Sequence, residues 1–188
     1  LTGGILTGVA MAASCYYSSA TVNHAKYPVF GVDVSNYQGI IDWKRLESQN
    51  VSFAFIKATE GSGHVDESAR RNLRDAAKTD RKLSAYHCFS FDSPGETHMP
   101  PVVDVEYYAD KKSNKPSCEE AEAILKPLLD DLEEYYGKKP ILYTTLPVYC
   151  RYIRESFGDY PLWIRSVNME PDLLDWKFWQ YCDSGCLD

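Results

Sequence analysis

Pro101-Val102-Val103-Asp104-Val105-Glu106 reads as an apolar β-strand that ends in two acids. Side chains on a strand alternate between faces, so Asp104 and Glu106 project from the same side. Two neighbouring carboxylates cannot both ionise easily, and one of them is expected to hold its proton to a higher pH. That provides a proton donor beside a carboxylate, which is what cutting a glycosidic bond requires. Taken alone, Asp-x-Glu is also common at solvated strand ends, so the surrounding sequence has to decide its meaning.

Outward from this strand, short apolar runs predict further strands at 29–34, 52–58, 83–89, 140–144, 161–165 and 177–181. Between them, helices are expected at 43–49, 66–78, 118–136 and 148–157. In the longest of these, Ala121, Ile124, Leu125, Leu128, Leu129 and Leu132 recur at helical spacing. Ser117 is its N-cap, Glu119 and Glu120 suit its first turn, and Gly137 ends it. Strands alternating with helices predict an α/β fold of βαβ units, and this number of strands favours a closed (β/α) barrel over a doubly wound sheet.

Polar residues recur where the strands end, at Asp33, Glu60, His87, Asp104, Glu106 and Thr144; in a (β/α) barrel those ends form the active-site face. Asp33 closes Phe30-Gly31-Val32-Asp33-Val34-Ser35 and either meets the acid pair or caps the following turn. Lys57 and Glu60, at the end of the second strand, read as a structural ion pair at the rim at least as readily as catalytic groups. Two features do not fit a full barrel. The connection from the third strand to Met99 is too short for a right-handed crossover, so residues are expected to be lacking between His98 and Met99. The closing strand is likewise expected to be missing after the strand at 177–181.

The chain has 188 residues, 44% apolar and 25% charged, which suits one globular domain. Its 14 Tyr, 7 Phe and 4 Trp fit a carbohydrate cleft or a tyrosine-rich core. A net charge of −7 without any basic block argues against a nucleic-acid partner. The six cysteines (15, 88, 118, 150, 182 and 186) form no CxxC pair and the four histidines are scattered, so no metal site and no cofactor is expected. Cys182 and Cys186 are the most local disulfide candidate. Residues 1–14 carry no charge and read as a cleaved leader or membrane anchor, followed by a polar spacer to residue 27. Ala12-Ala13-Ser14-Cys15 matches a lipoprotein cleavage box only loosely. The expectation is a leader and spacer over 1–27 and a domain over 28–188, acting outside the cell or at its surface, as a monomer.

Several ordered motifs then resemble one known family. Asp33-Val34-Ser35-Asn36-Tyr37-Gln38-Gly39, Ile41-Asp42-Trp43 and Phe55-Ile56-Lys57-Ala58-Thr59-Glu60-Gly61 look like the signature of glycoside hydrolase family 25, the Chalaropsis-type lysozymes. Ala85-Tyr86-His87, Val103-Asp104-Val105-Glu106, Pro140-Ile141-Leu142-Tyr143-Thr144, Pro161-Leu162-Trp163-Ile164 and Trp179-Gln180-Tyr181 follow in the family's order. The resemblance implies a flattened TIM-like (β/α) barrel with a reduced number of helices. It implies an N-acetylmuramidase acting on peptidoglycan glycan strands, at the β-1,4 bond between N-acetylmuramic acid and N-acetylglucosamine. Glu106 matches the family's general acid and Asp104 the carboxylate that supports the 2-acetamido group or the developing positive charge. Asp33 matches an acid on the cleft floor, and Tyr86, Tyr143, Trp163 and Gln180 match cleft-lining residues, with core packing as their alternative role.

Three departures stand out. His64 occupies a place usually aromatic or Leu, the helix expected after Ser90 is largely absent, and no final Asp-x-Asn strand is seen. A non-catalytic peptidoglycan-binding module on the same fold is the competing reading, and a hydrolase of another polysaccharide a third, because loops set sugar identity.

Overall fold

A computed structural model of the chain describes residues 22–23, 25–60, 64–88, 101–172 and 174–183. The leader, the Ala12–Cys15 stretch, the shortened connection at His98 and Met99, and Cys186 lie outside the described residues.

The strands are β1 (Phe30–Val34), β2 (Val51–Glu60), β3 (His64–Val65), β4 (Lys82–Cys88), β5 (Val102–Val105), β6 (Ile141–Thr145), β7 (Leu162–Arg165) and β8 (Phe178–Gln180). They form one sheet in the order β1-β2-β4-β5-β6-β7-β8, with β3 paired to β2 off this path. Every pairing along the path is parallel, whereas β3 pairs antiparallel to β2. The helices are α1 (Trp43–Ser48), α2 (Ala69–Ala76) and α3 (Cys118–Tyr136). The helix expected at 148–157 is a helical turn, Leu146–Val148, that widens into a π-helical stretch, Tyr149–Ile153. All seven expected strands are present to within two residues at each end. Two residues of β3 are too few to leave a periodic signal.

Alternation on the strands sorts their side chains into two layers. On the outer face, Val103, Val105 and Leu142 pack against Ala121, Leu125, Leu128, Leu129 and Leu132 of α3. Burying such an aliphatic side chain contributes about 1.5–3 kcal/mol, so this seam fixes α3 against β5 and β6. Ser117 and Glu120 form a capping box at the N-terminus of α3, and Gly137 ends it at φ 64°. Pro127 sits inside the helix on its exposed side, where the carbonyl it leaves without a donor can turn to water. On the other flank, Val34, Ala54 and Ile56 pack with Trp43 and Ala76 from α1 and α2.

The inner face carries Phe55, Val102, Tyr143 and Trp163, with Phe53, Tyr86, Ile141 and Phe178 against them. Phe55 stacks on Trp163 at 4.3 Å between ring centroids, and Tyr143 meets Trp163 edge-on at 4.6 Å. Gly31 faces this layer because it has to: a Cβ there would lie 2.3 Å from the Phe53 ring.

The sheet is curled, bringing its first and last strands toward one another. Phe30 and Tyr181 face each other at 6.4 Å between centroids, and a cavity of ≈ 920 Å³ runs along the seam between β1 and β8. The segment before β1 closes over one end of this seam. There Tyr27 packs on Trp176 and Trp179, and Lys26 and the Tyr27 hydroxyl both reach Glu170. Packed structure therefore extends back to Lys26. The architecture is an α/β fold with a curled, half-barrel parallel sheet and few helices.

Candidate active site

The parallel register decides which side chains meet. Asp104 is level with Cys88 on β4 and Tyr143 on β6, which in turn is level with Trp163 on β7. One layer nearer the strand ends, Thr145, Arg165 and Gln180 share a level. Glu106, two residues beyond Asp104, rises into that layer. Asp33, Asp104 and Glu106 thus converge on the inner face at the carboxyl ends of β1 and β5.

Each of these acids is held above its ordinary range. Burial pushes Asp104 up to about 8, the charge of Glu106 adds to this, and a hydrogen bond from the Cys88 thiol opposes it. One Asp104 oxygen, Oδ1, is shielded from solvent and has no hydrogen-bond partner, which leaves its charge uncompensated. Glu106 is raised by burial, against the attraction of Arg165 and Lys112. Asp33 is raised by burial too, against a hydrogen bond from Gln180 and the charge of Arg165. Of the three, Asp104 is raised furthest, by burial first and by the Glu106 charge second.

Gln180 links the two ends of the sheet. Its Nε2 donates to Asp33 Oδ2 at 3.0 Å, and its Oε1 accepts from the Tyr143 hydroxyl at 2.6 Å. Thr144, fully buried on the outer face, donates through Oγ1 to the carbonyl of Val105 at 2.8 Å. That bond anchors the backbone between the two acids. Arg165 pairs with Asp183 beside the cluster.

Of the residues expected to line a cleft, Gln180 and Tyr86 are half-buried beside the acids, and the Tyr86 phenol is raised by burial and by Asp33 and Asp104. Tyr143 and Trp163 are only 8% and 6% exposed, so most of their surface is spent on core packing. Lys57 and Glu60 form the ion pair expected at the rim. His87 turns away from the acids, its Nδ1 lying 2.7 Å from the Thr59 hydroxyl. The seam cavity touches Asp33 and Gln180 but is not lined by Asp104 or Glu106.

Arg165 and Cys88 belong to this site and were not among the expected residues. Each ends its strand with the parity of the acids, and that parity was the available signal.

Comparison with known proteins places these residues in context. The family described as glycosyl hydrolases family 25 matches residues 32–98 and 92–188, its two segments meeting in the connection before β5. The structure of a family 25 glycosyl hydrolase from Bacillus anthracis superposes with a TM-score of 0.77 at 45% identity, covering 84% of this chain and 80% of that one. Lysozyme M1 of Streptomyces globisporus is 42% identical over 187 residues, covering 84% of this chain and 63% of the relative. The uncharacterized protein YegX of Escherichia coli K12 is 31% identical over 186 residues, covering 87% and 66% respectively. The chain therefore spans a little under two thirds of the length of these curated relatives.

Proposed function

The chain belongs to glycosyl hydrolases family 25, and from that membership we propose that it is a peptidoglycan hydrolase, a lysozyme that cuts the β-1,4 bond between N-acetylmuramic acid and N-acetylglucosamine. The observation that carries the reading is the convergence of Asp33, Asp104 and Glu106, all raised by burial, at the carboxyl ends of β1 and β5. Lysozyme M1 and the autolytic lysozyme of Clostridium acetobutylicum, 25% identical over 175 residues, support it by likeness. On the same reading the curled sheet is a flattened TIM-like barrel and 28–188 is the catalytic domain. Residues 1–27 are a leader or anchor with a spacer whose last residues, Lys26 and Tyr27, pack on the domain, and the leader puts the enzyme outside the cell.

In the proposed mechanism Glu106 is the general acid. It stands nearer the mouth than Asp104 and is the better placed to reach a glycosidic oxygen. Without substrate, burial and the Glu106 charge favour the proton on Asp104. The acetamido N–H of a bound substrate, donating to Asp104, favours its carboxylate and leaves the proton with Glu106. Glu106 then protonates the leaving oxygen. Asp104 steadies the acetamido group as its carbonyl oxygen attacks the anomeric carbon, and Glu106 takes a proton from the water that completes hydrolysis. Asp33, held by Gln180, adds negative charge near the developing cation.

Glu106→Gln should reduce reducing-end release from purified peptidoglycan by 10²-fold or more, roughly the contribution of a general acid, with no loss of melting temperature, since neutralising a carboxyl raised by burial does not destabilise the fold. Wild-type rates from that variant would remove Glu106 from the mechanism. Absence of release by the wild-type protein, with binding retained, would favour a binding module.

A further inference from the structure

Beyond the acids, two large aromatic side chains stand in solvent at the same end of the sheet. Tyr37 follows β1 and is 84% exposed, and Tyr108 follows Glu106 and is 62% exposed. Both flank the Lys57–Glu60 ion pair. The Glu60 carboxylate lies near enough to the Tyr108 phenol to raise it, and the Tyr37 phenol lies near both Lys57 and Tyr108. The same ion pair adjoins Cys88, which is level with Asp104. The tyrosines are therefore continuous with the catalytic face on its β2–β4 side, opposite Gln180.

The loop bearing Tyr37 is held with unusual care. Asp66, 2% exposed, accepts from the Asn36 N–H at 2.9 Å and from the Ser68 N–H at 2.9 Å. Ser35 and Gln38 close a capping box around Tyr37, and Arg71 donates to the Gly39 carbonyl at 2.8 Å. On the other side the Lys111 N–H bonds the Tyr108 carbonyl at 3.0 Å, fixing the turn that presents Tyr108. None of these bonds buries a ring. They hold apolar surface in water, where its exposure is unfavourable, and so lower the entropy lost when a ligand covers it.

We propose that Tyr37 and Tyr108 form a saccharide subsite, an aromatic pair that stacks on an N-acetylhexosamine unit of the glycan strand outside the pair of sugars being cut. An aromatic face complements the C–H face of a pyranose, and the neutral amides of such a sugar need no charged partner. The Lys57–Glu60 pair supplies polar groups for its hydroxyls. This inference rests on the muramidase reading and extends it to chain-length preference.

The test compares hydrolysis of solubilised, uncross-linked peptidoglycan strands, long against tetrasaccharide. Tyr37→Ala combined with Tyr108→Ala should raise KM for long strands about tenfold, the loss expected for removing aromatic contacts, while kcat and tetrasaccharide hydrolysis stay near wild type. The paired Phe variant keeps the rings and should keep the wild-type KM. An unchanged KM in the Ala pair overturns the subsite and leaves the muramidase reading standing, as does a Phe pair as impaired as the Ala pair. A wild-type protein that releases no reducing ends overturns both.

Discussion

Gln180 and Asp33 lie 147 positions apart in sequence and meet at 3.0 Å, Nε2 to Oδ2, joining the last strand of the sheet to the first. No backbone pairing between β1 and β8 is present among the described residues, so side-chain contacts join the two ends, with this bond the one that reaches the acids. Because Gln180 also accepts from Tyr143, one amide orients both an acid and a phenol.

Replacing Gln180 by Leu removes a donor that lowers the Asp33 carboxyl and takes from the buried Tyr143 hydroxyl its acceptor. Asp33 should then take up its proton at a higher pH. The acidic limb of kcat/KM against pH should move upward, and stability should fall by about 1–3 kcal/mol. A pH–rate series with a thermal melt checks both, and an unmoved acidic limb would separate Asp33 from catalysis.

Asp104 sets a stability gradient of definite sign. Its carboxyl ionises near 8 in the folded protein, against about 3.9 in an unfolded chain. Below about 4 both states are protonated and the group contributes nothing to the pH dependence. As pH rises toward 8 the unfolded chain loses the proton first, and the folded state becomes progressively less favoured. Asp104→Asn should therefore match wild type in melting temperature at pH 4 and exceed it increasingly up to pH 8, by about 2–4 °C for each kcal/mol recovered. Its activity should fall at every pH.

Cys88 faces Asp104 across β4 and β5, and burial together with that carboxyl raises its thiol. Cys118 and Cys150 are exposed. Iodoacetamide at pH 8 should label Cys118 and Cys150 in the native protein and spare Cys88 until the fold is unfolded. Peptide mass spectrometry reads the order directly, and native labelling of Cys88 would show a more open site.

Gly31→Ala would press a methyl group into the Phe53 ring, which is already edge-on to Phe55 at 5.5 Å and to Phe178 at 5.6 Å. The expected cost is about 1–3 kcal/mol, as for other overpacked interiors. Because Gly31 shares a face with Asp33, kcat should fall as well. A denaturant melt and an activity assay separate the two effects.

Much of this architecture could be read from local pattern. The bounds of α3 follow from Ser117, Gly137 and the Leu spacing, because capping and amphipathicity are short-range properties. The strands follow from short apolar runs such as Leu162–Ile164, which is buried on both faces. The shared face of Asp104 and Glu106 needed nothing beyond the two-residue period of a strand. The β3 pairing and the π-helical Tyr149–Ile153 stretch escaped notice, since each arises from how the chain meets a neighbour.

What the sequence determined by itself was therefore the elements, the polarity of their ends and the acid pair, because each depends on residues close together along the chain. Which groups surround that pair was decided only by the tertiary structure. Arg165, Cys88 and Gln180 reach the acids through strand register, and the contact of Gln180 with Asp33 exists only because the sheet curls. Burial then distinguished chemically similar carboxyls, raising Asp104 to about 8. Desolvation is a property of everything packed around a group, and no stretch of sequence contains it.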